Sequence, residues 1–341
     1  MKNIKKHLKL FLLSVLSIVA LSCDNDDDNN GDPFPNNVIE VALNNNFTSL
    51  ATALTNTGLV STLQGEGPFT VFAPTNDALD SFLSAAGIDI NNMTAAQEDA
   101  VRNILLNHVI VGEYTNANSF ITSNAGYKTT GATGPGGNNL NLYFSAASGS
   151  LILNGGATVI APDNYALNGV VHVIDEVIAL PTVVTFATSD PTFSTLASAL
   201  TTATPATDFA SILSRTSTGN MDGIDPDFTV FAPTNDAFNN LLDSVSTWNS
   251  LSDIGETTLT NVLLHHVIGG ANIRSSNLNP MGTTTAGTLE GDNITITLPG
   301  TNGNIANVQD GSGNTDIGIV AVDVQASNGV IHVLNKVMLN N

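Results

Sequence analysis

One cysteine, Cys23, stands in 341 residues, so no intramolecular disulfide can form and the chain is not a disulfide-stapled scaffold. Basic residues are also scarce, nine Lys and Arg against 30 Asp and Glu. Four of the nine (Lys2, Lys5, Lys6 and Lys9) precede Cys23 and no acid does, which leaves five basic residues against 30 acidic ones from Cys23 onward, a net of −25. Phosphate binding needs a basic footprint, so nucleic acid is excluded as a partner, and direct adsorption to anionic lipid is disfavoured. Aromatics are thin as well: one Trp (Trp248) and four Tyr count against the stacking platforms on which sugar sites rest. No serine sits in a nucleophile elbow, and no second cysteine or i, i+4 histidine pair offers a zinc site. The chain is expected to carry no catalytic residues and no cofactor.

What is present begins with a sorting signal. Lys2 to Lys9 form a positive segment, and Leu10 to Leu21 (LFLLSVLSIVAL) an apolar one. At about 12 residues the apolar run is short of the roughly 20 that span a bilayer, which makes residues 1–22 a signal peptide. Leu21, Ser22 and Cys23 resemble a bacterial lipobox, in which the cysteine takes up diacylglycerol, is acylated (palmitate or similar) and becomes the new N-terminus. Several acyl chains on one residue give stable anchoring. Residues 23–36, with Asp24, Asp26, Asp27 and Asp28 among asparagines and then Gly31, Pro33 and Pro35, are too polar to fold and form a tether. An acidic run at this place is similar to the surface-export signal of some Gram-negative lipoproteins. The expected location is the cell envelope, lipid-anchored on the outer membrane and facing the exterior.

The rest is a duplication. FTVFAPTNDA at Phe69–Ala78 recurs unchanged at Phe228–Ala237. FTSLATAL (47–54) matches FSTLASAL (193–200), ILLNHVI (104–110) matches VLLHHVI (262–268), and NGVVHV (168–173) matches NGVIHV (328–333), all in the same order. Two domains follow, residues 37–181 and 182–341, with the boundary near Pro181. Between Leu200 and Phe228 the second copy carries an insertion, including Arg215 and Asp222 to Asp227, a place for individual specificity.

Phe47, Leu50, Ala51 and Leu54 fall at i, i+3, i+4 and i+7, one face of a helix. Phe69 to Phe72 reads as a strand ended by Pro74. Thr75 is a helix N-cap, with Asn76 and Asp77 in the first turn where a carboxylate meets the helix dipole; Thr234, Asn235 and Asp236 repeat this in the second copy. Strands are expected at Leu140–Phe144, Leu151–Leu153 and Asn293–Leu298, and each copy closes on a Val-rich strand, Val170–Val177 or Val330–Val337, entered through an Asn-Gly turn. A helical first half and a strand-rich second half give the class α+β. His108 and His172 recur as His266 and His332, as expected of buried framework residues, while His265 and His266, being adjacent on a helix, cannot face the same way. Asp310, Ser312, Asn314 and Asp316 place oxygens at alternate positions in a Gly-rich loop, like the opening of a calcium loop, but Thr315 stands where an EF-hand needs Gly and no Glu follows at the twelfth position. A hairpin loop is the expectation there, with calcium as the alternative.

Together, TVFAPTNDA, LLxHVI and NGVxHVxxxV resemble the signature segments of the fasciclin domain family, over both repeats. The resemblance implies a twisted β-wedge flanked by helices, used by extracellular and surface proteins for adhesion or ligand binding, with no common cofactor. Its first motif falls on Thr70–Ala78 and Thr229–Ala237 and its last on Gly169–Val177 and Gly329–Val337, mainly framework. The Tyr-His pair associated with integrin binding in animal members is absent from this chain, so integrin binding is not implied. The expected function is adhesion to, or recognition of, a cell-surface or matrix protein or glycan, and the lipid bilayer is met through acylated Cys23. The alternative is capture of a polysaccharide or nutrient for an outer-membrane uptake system.

Overall fold

A computed structural model describes residues 36–147 and 149–341. The signal peptide, Cys23 and residues 23–35 of the tether lie outside them. Asn36, counted above with the tether, already belongs to the folded unit, because its carbonyl accepts the Leu167 N–H at 2.8 Å.

Each repeat is one seven-stranded sheet with most of its helices on one side. In the first, the strands are β1 (Phe69–Pro74), β2 (Val109–Val111), β3 (Ala125–Thr133), β4 (Asn139–Ser145), β5 (Ile152–Leu153), β6 (Ala157–Ala166) and β7 (Gly169–Ile174). The second supplies β8 (Phe228–Pro233), β9 (Val267–Ile268), β10 (Thr283–Gly287), β11 (Asn293–Thr297), β12 (Ala306–Gln309), β13 (Ile317–Ala326) and β14 (Gly329–Leu334). The spatial orders are β2-β1-β7-β6-β5-β4-β3 and, read in the same sense, β9-β8-β14-β13-β12-β11-β10. The closing strand pairs in parallel with the first, Phe69 opposite Gly169 and Phe228 opposite Gly329. Helices and strands are therefore less segregated along the chain than the sequence suggests, since β1 and β8 come early and lie inside the sheet.

Burial on both faces explains why FTVFAP shows no polar alternation. All six residues are buried in both copies. Phe69, Val71 and Ala73 point to the helices, among them Thr48–Asn56, Asn76–Ala85 and Ala95–Asn107, and Phe72 points into the folded sheet with Phe120, Leu142, Phe144 and Leu153. In the second repeat Phe228, Val230 and Ala232 face the helices, and Phe231 joins Ile294, Ile296, Val308 and Ile319 inside the sheet. Each repeat thus has two cores divided by its central strands.

The closing strands end at Ile174 and Leu334, short of the expected Val177 and Val337. The Asn-Gly segment does form a turn, but its glycine serves another purpose. The turn residues are Leu167 and Asn168, between paired Ala166 and Gly169. A Cβ on Gly169 would lie 2.2 Å from the Phe69 carbonyl oxygen, and one on Gly329 2.2 Å from that of Phe228, so the close approach of the parallel strands demands glycine. No helix among the described residues is long and apolar enough to cross a membrane.

Candidate functional site

The recurring polar residues hold the framework together. Thr75 Oγ1 accepts the Ala78 N–H at 3.2 Å and Thr234 Oγ1 the Ala237 N–H at 3.3 Å, capping the helices that follow β1 and β8. Asn76 reaches back to the preceding helix, accepting the Ser49 N–H at 3.1 Å and donating to the Asn46 carbonyl at 2.9 Å. Asn235 accepts the Thr195 N–H at 2.9 Å and donates to the Pro191 carbonyl at 2.8 Å. Asp77 and Asp236 stand exposed in their first helical turns, where the dipole favours a carboxylate.

The four repeated histidines are buried. His108 lies at the end of its helix, Nδ1–H donating to the Ile104 carbonyl at 2.7 Å while Nε2 accepts the Ile178 N–H at 2.9 Å. His266 does the same between Val262 at 2.7 Å and Met338 at 2.9 Å. Both rings are held neutral by this pairing, and burial lowers each pKa to about 4. His172 and His332 donate from Nε2 to the Thr115 and Ile273 carbonyls at 2.9 and 2.8 Å, and burial lowers their pKa values as well. His172 Nδ1 accepts the Asp163 N–H at 3.2 Å, whereas His332 Nδ1 has no hydrogen-bond partner among the described residues.

Two framework pairs escaped the sequence reading. Asn168, read there only as a turn residue, accepts the Val38 N–H at 2.9 Å and donates to the Leu63 and Gly65 carbonyls at 2.8 and 2.7 Å. Asn328 repeats this with Val183, Leu213 and Arg215 at 3.0, 2.7 and 2.9 Å. One buried side chain thus ties the first helix, the loop before the central strand and the final turn. Asp163 and Asp323 sit at φ of +62° and +64° in the bulges of β6 and β13, and each carboxylate accepts a backbone N–H from the opposite segment, Ala117 or Ser275, at 2.8 Å. The recurrence of Asn before the marked glycine was a usable signal. The aspartates had one too, since Ala-x-Asp-x-x-Ala-x-Asn-Gly recurs at 161–169 and 321–329.

The calcium-like loop does not gather its oxygens. Asp310 is buried, one oxygen accepting the Asn314 N–H at 2.8 Å and the other the Asn314 amide at 2.9 Å and the Leu339 N–H at 2.8 Å. Ser312 donates to the Asn340 carbonyl at 2.7 Å, and Asp316 pairs with Lys336. The loop is a hairpin connection from β12 to β13 that clamps the C-terminal segment. His265, turned away from His266, joins it by accepting the Gly311 N–H at 3.1 Å. In the insertion, Arg215 grips both oxygens of Asp222 at 2.8 Å, Asp225 accepts the N–H groups of Gly219 and Asn220, and Met221 projects fully into solvent.

The repeats part company on their surfaces, and there they meet. Tyr127 and Tyr143, on the outer face of β3 and β4, pack with Phe186 of helix Val183–Ser189. Tyr127 donates to Asp190 Oδ2 at 2.9 Å, and Asn141 Oδ1 accepts the Gln325 N–H at 2.7 Å. Burial, with the Asp190 charge second, pushes the Tyr143 phenol up to about 12 and that of Tyr127 higher still.

Both repeats match a known domain family. The fasciclin domain profile matches residues 45–181 and 191–340. Protein sll1483 of Synechocystis is 38% identical over 148 residues, which is 42% of this chain and 73% of that protein. Human periostin is 28% identical over 286 residues, 81% of this chain but only 29% of periostin. Among solved structures, a FAS1 domain pair from the insect cell adhesion molecule fasciclin I aligns with a TM-score of 0.49 at 22% identity, over 88% of this chain and 95% of that one. The chain belongs to the fasciclin domain family and carries two of its domains in tandem.

Proposed function

We propose that this is a lipid-anchored envelope protein, held through acylated Cys23 with its two fasciclin domains facing the exterior, and that it recognises a cell-surface or matrix protein or glycan without catalysing a reaction. One observation carries the reading. The threonines, asparagines and histidines that recur in both domains are bound within the fold, and the recurring Asp77 and Asp236 stand singly in exposed helix turns, so the variable surfaces are what remains for contact with other molecules. Adhesion or ligand binding is the role that family membership implies. A negative net charge disfavours lipid and nucleic acid as direct contacts of the folded unit and leaves protein and neutral glycan surfaces.

The test is a binding screen of the unit Asn36–Asn341 against matrix-protein and glycan arrays, with and without calcium. Saturable binding to a protein or glycan, kept when Asp77 and Asp236 are replaced by Asn and unchanged by chelator, is the expected result. Silence on every array, or turnover of an arrayed substrate, would overturn the reading.

A further inference from the structure

The joint between the repeats has two halves, and among the described residues each half recurs, uncovered, at the far end of the other repeat. One half is the outer face of β3 and β4 in the first repeat, carrying Tyr127, Asn141 and Tyr143. Strand register identifies its counterpart in the second repeat: Tyr127 lies opposite Tyr143 as Thr283 lies opposite Thr297, and Thr129 opposite Asn141 as Thr285 opposite Thr295. The other half is helix Val183–Ser189 with the end of β13. Its counterpart in the first repeat is helix Val38–Asn44 with the end of β6, because Asn168 binds Val38 as Asn328 binds Val183, and Tyr165 lies opposite Val170 as Gln325 lies opposite Val330.

The covered and uncovered copies differ as this equivalence requires. Gln325, inside the joint, has no exposed surface, whereas Tyr165 is 39% exposed, with Leu167 at 59% and Leu43 at 50% beside it. Tyr143 is buried, and its counterpart Thr297 is exposed. The bulk is also exchanged. The internal joint sets tyrosines on the sheet against an amide on the edge, while the uncovered halves offer threonines on the sheet and the stacked Tyr114–Tyr165 pair on the edge. None of the tyrosines, leucines and threonines named is charged, although Glu40 on the edge helix and Asp163 near Tyr114 stand close by.

We propose that the protein self-associates head to tail, the edge of the first repeat (Leu43, Tyr114, Tyr165, Leu167) docking on the threonine face of β10 and β11 in a second copy of the chain. The contact is heterologous and repeats the operation that relates the two domains within one chain, so it yields rows, or rings where the rotation closes, rather than two-fold dimers. It goes beyond the reading above and does not depend on it, since a chain that binds a foreign ligand can form rows or stay single.

Sedimentation velocity over a concentration series tests it on the compact unit Asn36–Asn341, which contains every core residue described. The average mass is expected to rise past that of a dimer. Leu167→Arg on the edge and Thr297→Arg on the sheet face, both at exposed sites, should each weaken association at least about tenfold while leaving the melting temperature in place. An equimolar mixture of the two variants retains one intact edge and one intact face, and should form dimers and nothing larger. A unit that stays monomeric into the millimolar range, single variants that associate as the parent does, or a mixture that stays monomeric would each overturn the proposal. Because array binding is read separately, loss of either result leaves the other standing.

Discussion

The two domains agree inside and disagree outside. The recurring buried histidines and asparagines make nearly the same bonds twice: His108 and His266 bridge a helix end to the last segment, Asn168 and Asn328 bridge the first helix to the loop before the central strand, and only His172 Nδ1, which accepts the Asp163 N–H, has no match in its counterpart His332. On the outer face of the sheet, by contrast, the first repeat has Tyr127 and Tyr143 where the second has Thr283 and Thr297. Duplicated domains that must keep one fold hold their buried hydrogen bonds constant. The surfaces are free to diverge, and here the difference tracks what each face meets: tyrosines against Phe186 in one case, solvent in the other.

The sharpest way to break this comparison is to remove the buried asparagines. Asn168→Ala and Asn328→Ala each delete three hydrogen bonds and strand buried partners, so each should lower unfolding free energy by about 4 kcal/mol in urea titration. A large effect in one repeat and none in the other would end the claim of equivalence. Acidification probes the histidines. The folded pKa of His108 and His266 is about 4, below the ordinary value of about 6.5, so the unfolded chain binds more protons between these limits. Their contribution is complete above pH about 6.5 and is lost as pH falls toward 4, by roughly 3 kcal/mol for each ring. Stability measured from pH 7 to 4 should show this fall, and His108→Gln should flatten it as much as His266→Gln does.

Smaller effects mark the surface. Tyr127→Phe removes the bond to Asp190 and should cost about 1–2 kcal/mol by urea unfolding, while Thr283→Val at the equivalent exposed place should stay within about 0.5 kcal/mol. Smallest of all, Asp77→Asn or Asp236→Asn gives up only an exposed dipole interaction, about 0.3–1 kcal/mol, detectable as a slight drop in melting temperature.

Much of the fold was legible because the duplication marks what the interior needs. The N-caps Thr75 and Thr234 and the helix beginning at Thr48 could be placed from residue type and period alone. Less could be read where strands are polar or bent. AGYKTTGAT and TTTAG form β3 and β10 with little hydrophobic pattern, since one face of each is open or meets the other domain. Bulges at Asp163 and Asp323 break the alternation of β6 and β13. The joint was invisible for a different reason. Tyr127, Tyr143, Asp190 and Gln325 belong to no repeated motif, and their meeting depends on how one whole domain is set against the next.

That joint is where the account is most exposed to test, and the absence of cysteine from residues 36–341 makes it accessible. Cysteines placed at Asp80 and Asn239, matching exposed sites on the helices after β1 and β8, can carry spin labels for a distance measurement by double electron–electron resonance. A single narrow distance that broadens on Tyr127→Ala is the predicted result. A broad distribution in the parent chain would mean that the two domains move independently and that the diverged faces do not hold them together.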